Sequence, residues 1–113
     1  MNPLLKLSID LMALHSLNFV EYLIVLVTYR ENNISGEKEL FLRFVGEPQT
    51  EEEAKLFAKV TPQNVANAIQ NLQDRGLLEF NSRFKNCYSL TEMGIEIGRD
   101  IDDRRRSVTF PSP

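Results

Sequence analysis

Gln63, Asn64, Asn67, Gln70 and Asn71 fall within one short stretch of this 113-residue chain. A carboxamide carries a donor and an acceptor side by side, so asparagine and glutamine can bond both edges of adenine in a major groove. The apolar residues between them, Val65, Ala68, Ile69 and Leu72, recur at helical spacing and predict a helix over 62–75. The amides then share its opposite face with Pro62 and Asp74. Solvated helix faces usually carry Lys and Glu, which form helices better than Asn does. This one has no lysine and three asparagines, which favours base reading over an ordinary wet surface. Residues near a helix N-terminus reach deepest into a groove, so Gln63, Asn64 and Asn67 are the first candidates for base edges. Arg75, Arg83 and Lys85 are the matching candidates for phosphate or minor-groove contacts.

Other chemistry is thin. His15 is the only histidine and has no partner at metal-ligand spacing, so it is expected to be structural. Cys87 has no neighbouring Cys or His pattern and only Lys85 as an activating cation; burial is expected for it. The acidic run Glu51 to Glu53 suits a helix start, and Arg104 to Arg106 suit a helix end, with a DNA-tracking arm as the alternative for the arginines. No phosphate loop, zinc-ligand spacing or nucleophile–base arrangement is present, so neither cofactor nor metal is expected, and an enzyme is not expected either.

The elements that must position the amides can be read in order. Leu4, Leu7, Leu11 and Leu14 form one stripe of an amphipathic helix over 3–15, which packs on its own core or on a second subunit. Residues 17–30 are apolar nearly all round, with Ser16 placed to cap them, and predict a buried central helix too short to span a membrane. Asn32 to Gly36 break the chain. The stretch 36–48 fits a helix ending before Gly46 and Pro48, or a short strand through Leu40, Leu42 and Phe44. Thr50 with Glu53 three residues on makes a capping box for a helix over 50–59. A turn near Val60 leads to the amide helix, with Thr61 as its cap and Pro62 at its first position.

Gly76 closes that helix. A hairpin follows: Leu77 to Phe80, a polar turn at Asn81 to Lys85, then Cys87 to Leu90, with Leu78, Phe80, Tyr88 and Leu90 facing inward. Thr91 caps a last helix over 91–105, in which Gly94 and Gly98, four residues apart, allow close approach of a neighbour. Residues 107–113 are expected to be a flexible tail.

The totals set bounds. A chain of 42% hydrophobic and 26% charged residues is one domain, 1–106, with a modest core. Its net charge of −3 counts mildly against nucleic acid, though a net value averages over faces. One cysteine and no signal peptide fit the cytoplasm.

Leu72, Arg75, Gly76, Leu77, Leu78 and Glu79, followed by Leu90, Thr91, Glu92 and Gly94, resemble winged helix-turn-helix transcription regulators of the MarR and PadR type. The first group looks like the motif that closes a recognition helix, the second like the one that opens the helix after the wing. The likeness covers roughly residues 50–98. It implies a mainly α fold with a small β-hairpin (α+β), a DNA-binding regulator acting as a homodimer on double-stranded DNA, helix 62–75 in the major groove and the 77–90 wing on the backbone. The alternative is a winged-helix module that binds a protein partner without DNA. A small-molecule sensor, with Phe19, Tyr22, Phe41 and Phe44 around a cavity, is a variant of the first. No membrane role is expected.

Overall fold

The computed structural model describes residues 3–31, 48, 50–81 and 87–109. These form five helices and one two-stranded antiparallel sheet, a mainly helical α+β arrangement: α1 (Pro3–His15), α2 (Phe19–Glu31), α3 (Glu51–Ala58), α4 (Pro62–Asp74), β1 (Leu78–Asn81), β2 (Cys87–Leu90) and α5 (Glu92–Thr109). The expected helix or strand at 36–48, the hairpin turn with Arg83 and Lys85, the Cys87 side chain and the tail beyond 109 lie outside the described residues.

α2 is the hub, because its sequence leaves no polar face. Every residue from Phe19 to Thr28 is buried, and α1, α4, β2 and α5 all pack against it. Its start differs from the expectation. Ser16 does not cap it. Ser16 has φ 54°, with its N–H on Ala13 O and the Leu17 N–H on Met12 O, which is the left-handed closure of α1. Asn18 is the residue that caps α2: its Oδ1 accepts from Glu21 N at 2.8 Å and Glu21 Oε1 accepts from Asn18 N at 2.9 Å, a reciprocal capping box. α1 and α2 are therefore bent by 95° at the joint, and no single described helix is long and apolar enough to cross a membrane.

α1 uses its leucine stripe only in part. Leu11 is buried and Leu7 packs on the core, whereas Leu14 is 57% exposed. The face against the core also includes Ser8, fully buried, whose hydroxyl donates to Tyr22 Oη at 2.9 Å. The polar pair lets a serine take a place that hydropathy alone assigns to a leucine.

α3 and α4 start as their caps dictate. Thr50 Oγ1 accepts from Glu53 N, and Thr61 Oγ1 accepts from Asn64 N. α4 ends with Gly76 at φ 73°, its N–H on Gln73 O and the Leu77 N–H on Leu72 O, the same closure that ends α1. The hairpin pairs Leu78 with Leu90 and Phe80 with Tyr88. Leu78 and Leu90 are buried as expected; Phe80 is not, at 55% exposed. Two residues further out along the strand it has passed the helical body, and it packs edge-on against Tyr88 with ring centroids 5.5 Å apart.

α5 lies tight against its neighbours, and its glycines are the reason. A Cβ at Gly94 would sit 2.1 Å from Leu77 O, and one at Gly98 2.9 Å from the Tyr29 side chain. Thr91 holds the helix start: its N–H donates to Leu77 O and its Oγ1 accepts from Gly94 N. The helix runs on to Thr109, past the end expected at 105, because acids one turn back hold the arginines. Arg104 bonds Asp100 and Arg106 bonds Asp102, both at 2.9 Å. Asp102 is buried and also accepts from Arg30 Nε at 2.6 Å, which ties α5 to α2.

Candidate nucleic-acid interface

Thr61, Pro62 and the apolar stripe Val65, Ala68 and Leu72 fix how α4 is rolled. The stripe is buried against the core, so Gln63, Asn64, Asn67, Gln70 and Asn71 are all exposed. They form two rows. Gln63, Asn67, Gln70 and Asp74, spaced by three and four residues, make the outer ridge. Its side chains pair along the helix: Gln63 Nε2 donates to Asn67 Oδ1 at 3.0 Å and Gln70 Nε2 to Asp74 Oδ1 at 2.9 Å. Asn64, Asn67 and Asn71 make the second row, turned towards the N-terminus of α2.

Between that row and the body of the protein lies a cleft of about 440 Å³. Met12, Phe19, Val20, Leu56 and Ala68 form its apolar floor. Asn18 and Lys59 stand with the three asparagines around it. Phe19 is held there by an edge-on contact with Phe57, centroids 5.2 Å apart. Tyr22 is fully buried among the core residues, so of the rings expected around a cavity it is Phe19 that meets this one; Phe41 and Phe44 lie outside the described residues.

The hydrogen bonds already made decide what each amide still offers. Asn64 Nδ2 donates to Lys59 O at 2.7 Å, which leaves its Oδ1 as an acceptor. Asn67 Oδ1 accepts from Gln63 Nε2, which leaves its Nδ2 as a donor. The Asn71 side chain has no hydrogen-bond partner among the described residues.

The cations divide differently from the expectation. Arg75 sits at the C-terminal end of α4, where its guanidinium donates to Ser16 O at 3.0 Å and His15 O at 3.1 Å. It closes the end of α1, so any phosphate contact must share a group that already holds two carbonyls. Arg104 and Arg106 are within α5 and paired with acids, and Arg105 is buried. Lys59 was not among the candidates read from the sequence. The α3–α4 turn brings it beside the N-terminal half of α4, exposed, and a basic residue two positions before a Thr-Pro helix start is the signal that points to it.

His15 does have a partner. Its Nε2 lies 2.8 Å from Asp100 Oδ2, joining α1 to α5. The Arg104 hydrogen bond holds the Asp100 carboxyl below its usual range; burial works against this and the His15 hydrogen bond adds to it. Among the described residues no cluster of His, Cys, Asp or Glu has the makings of a metal site. Neither models of known protein families, nor curated proteins, nor solved structures match this chain.

Proposed function

We propose that this chain is a cytoplasmic winged-helix transcription regulator that binds double-stranded DNA as a dimer. α4 is its recognition helix and the hairpin its wing. The order helix, turn, helix, glycine closure, antiparallel hairpin and helix supports the fold half of this reading. One observation carries the functional half: five exposed amides, with the acceptor of Asn64 and the donor of Asn67 one turn apart. An adenine edge presents a donor and an acceptor side by side and complements such a pair. Lys59 is the cation beside these amides. So few positive charges among the described residues predict a shallow salt dependence for α4, since the slope of log affinity against log salt is about −0.9 per phosphate neutralised.

A dimer supplies the affinity that one such face lacks. Leu14 on α1 and Met93 on α5, the latter 59% exposed, are apolar side chains left for a second copy to cover. The operator is then an imperfect palindrome. Selection from a random duplex pool, followed by electrophoretic shift at stated salt, tests the reading. Recovery of no enriched sequence, or binding unaffected by Asn64→Ala with Asn67→Ala, would remove it.

A second reading has its own observation. Asp74 accepts from Gln70 on the outer ridge and Arg75 is turned onto α1, which leaves that ridge neutral to acidic. Such a ridge suits a protein partner better than a phosphate backbone. An interaction module would show no enriched duplex while still losing its partner on substitution of Gln70.

A further inference from the structure

The cleft behind the second row of amides has a use that DNA reading leaves open. We propose that it binds a small neutral heterocycle of the purine-base type, held edge-on by Asn64, Asn67 and Asn71. This stands apart from the DNA reading, because the cleft needs no duplex to be filled.

Size comes first. At about 440 Å³ the cleft lies within the 300–1,000 Å³ range of small-molecule sites. Its pattern fits as well, with an apolar floor from Met12, Leu56 and Ala68 and a few polar groups on one wall. Charge comes next. The N-terminus of α2 opens beside it, and an open helix start would invite an anion. Here the capping box takes up the N–H groups of Asn18 and Glu21. Among the described residues Lys59 is the one charged side chain lining the cleft and the other polar groups are neutral amides, so the occupant is recognised by its hydrogen-bonding edge rather than by its charge. Polarity then selects the edge. With Nδ2 of Asn64 committed to Lys59 O and Oδ1 of Asn67 to Gln63, the wall offers an acceptor and a donor one helical turn apart. Adenine presents the complementary donor, its exocyclic amine, beside a ring-nitrogen acceptor. Asn71, whose side chain has no hydrogen-bond partner among the described residues, completes the row one turn on.

The test follows side-chain amide resonances of the ¹⁵N-labelled full chain while adenine is added, with uracil and benzoate as separate titrations. Saturable shifts of the Asn67 and Asn71 amides with adenine, and none with benzoate, are expected. Asn71→Leu should weaken adenine about tenfold without changing the melting temperature, because the Asn71 side chain is exposed and has no hydrogen-bond partner among the described residues. No saturable response to adenine, an equal response to benzoate, or a response that survives Asn71→Leu would overturn the proposal. No DNA is present in this experiment, so its failure leaves the DNA reading intact, and the failure of duplex selection leaves this site intact.

Discussion

α4 and α5 pack on the same helix, α2, and do so in opposite ways. α5 approaches so closely that two glycines are needed, and two of its acids are each held by two partners: Asp102 by Arg30 and Arg106, Asp100 by His15 and Arg104. α4 touches the core along one narrow stripe and turns its amides to solvent, bonded only to each other, to Asp74 or to the turn before them. Tight burial with saturated partners holds a fold; exposed groups with unused valence are available for recognition. Under the proposed function, the contrast puts stability on the α5 side and binding on the α4 side. It breaks if substitutions on the two sides fail to separate those properties.

The largest separation is expected at Gly94→Ala. The new methyl would stand 2.1 Å from Leu77 O, a carbonyl that already accepts from Thr91 N, so the backbone cannot retreat without losing the start of α5. A loss of about 3 kcal/mol or more is expected, the upper end for overpacking, read from the midpoint of urea unfolding. A loss below about 1 kcal/mol would show that α5 yields more easily than the contrast allows.

Next is the double change Asn64→Ala with Asn67→Ala. Both are exposed, and the single hydrogen bond to the turn is worth about 1 kcal/mol, so the fold should be kept. Duplex affinity should fall by about fivefold to 150-fold, given roughly 1–3 kcal/mol for a lost bidentate base contact. Stability lost with affinity retained would reverse the assignment of the two sides.

How much of this was written in the sequence differs between the two helices for a physical reason. α4 announces itself locally: Thr61 and Pro62 start it, the stripe at Val65, Ala68 and Leu72 orients it, and Gly76 ends it, each within one or two turns. The amide face follows from that stripe alone. What was not legible depends on partners far along the chain. Arg75 reads as a phosphate contact until α1, 60 residues earlier, is seen to place the carbonyl of His15 against it. Asp100 meets His15 across 85 residues. The cap of α2 was legible but misread, because Asn18 followed by Glu21 is a capping box whereas Ser16 merely precedes the apolar run. Phe80 was misplaced because alternation gives a strand's faces but not how far the body beneath it extends.

The misread residue gives a smaller, opposite-signed effect. Ser16 holds φ 54° to close α1, a conformation that costs a residue with a Cβ about 1–2 kcal/mol and glycine almost nothing. Ser16→Gly should therefore stabilise the protein, by about 0.5–1 kcal/mol after glycine's greater loss of chain entropy. It should do so without altering any α4-side binding, since Arg75 meets Ser16 through the backbone carbonyl, which glycine keeps. A destabilised variant would mean that the serine side chain contributes to the joint.

The smallest effect lies where the α5 side meets acid. The Arg104 hydrogen bond, chiefly, holds the Asp100 carboxyl below its ordinary value; burial opposes this and the His15 hydrogen bond adds to it. A carboxyl whose pKa is lower folded than unfolded adds stability that is present above the unfolded value, near 3.9, and lost as pH falls through the folded one. Asp100→Asn removes that contribution, so its stability should decline less steeply than the wild type's below about pH 4. Denaturant midpoints at a series of acid pH values measure this. Asp102 keeps its own pairs with Arg30 and Arg106 in the variant, so some acid sensitivity stays, and only the difference between the two curves reports on Asp100. Parallel curves would mean that the His15–Asp100–Arg104 chain contributes no folding stability, which would weaken the saturated-partner half of the contrast while leaving the glycine contacts of α5 untouched.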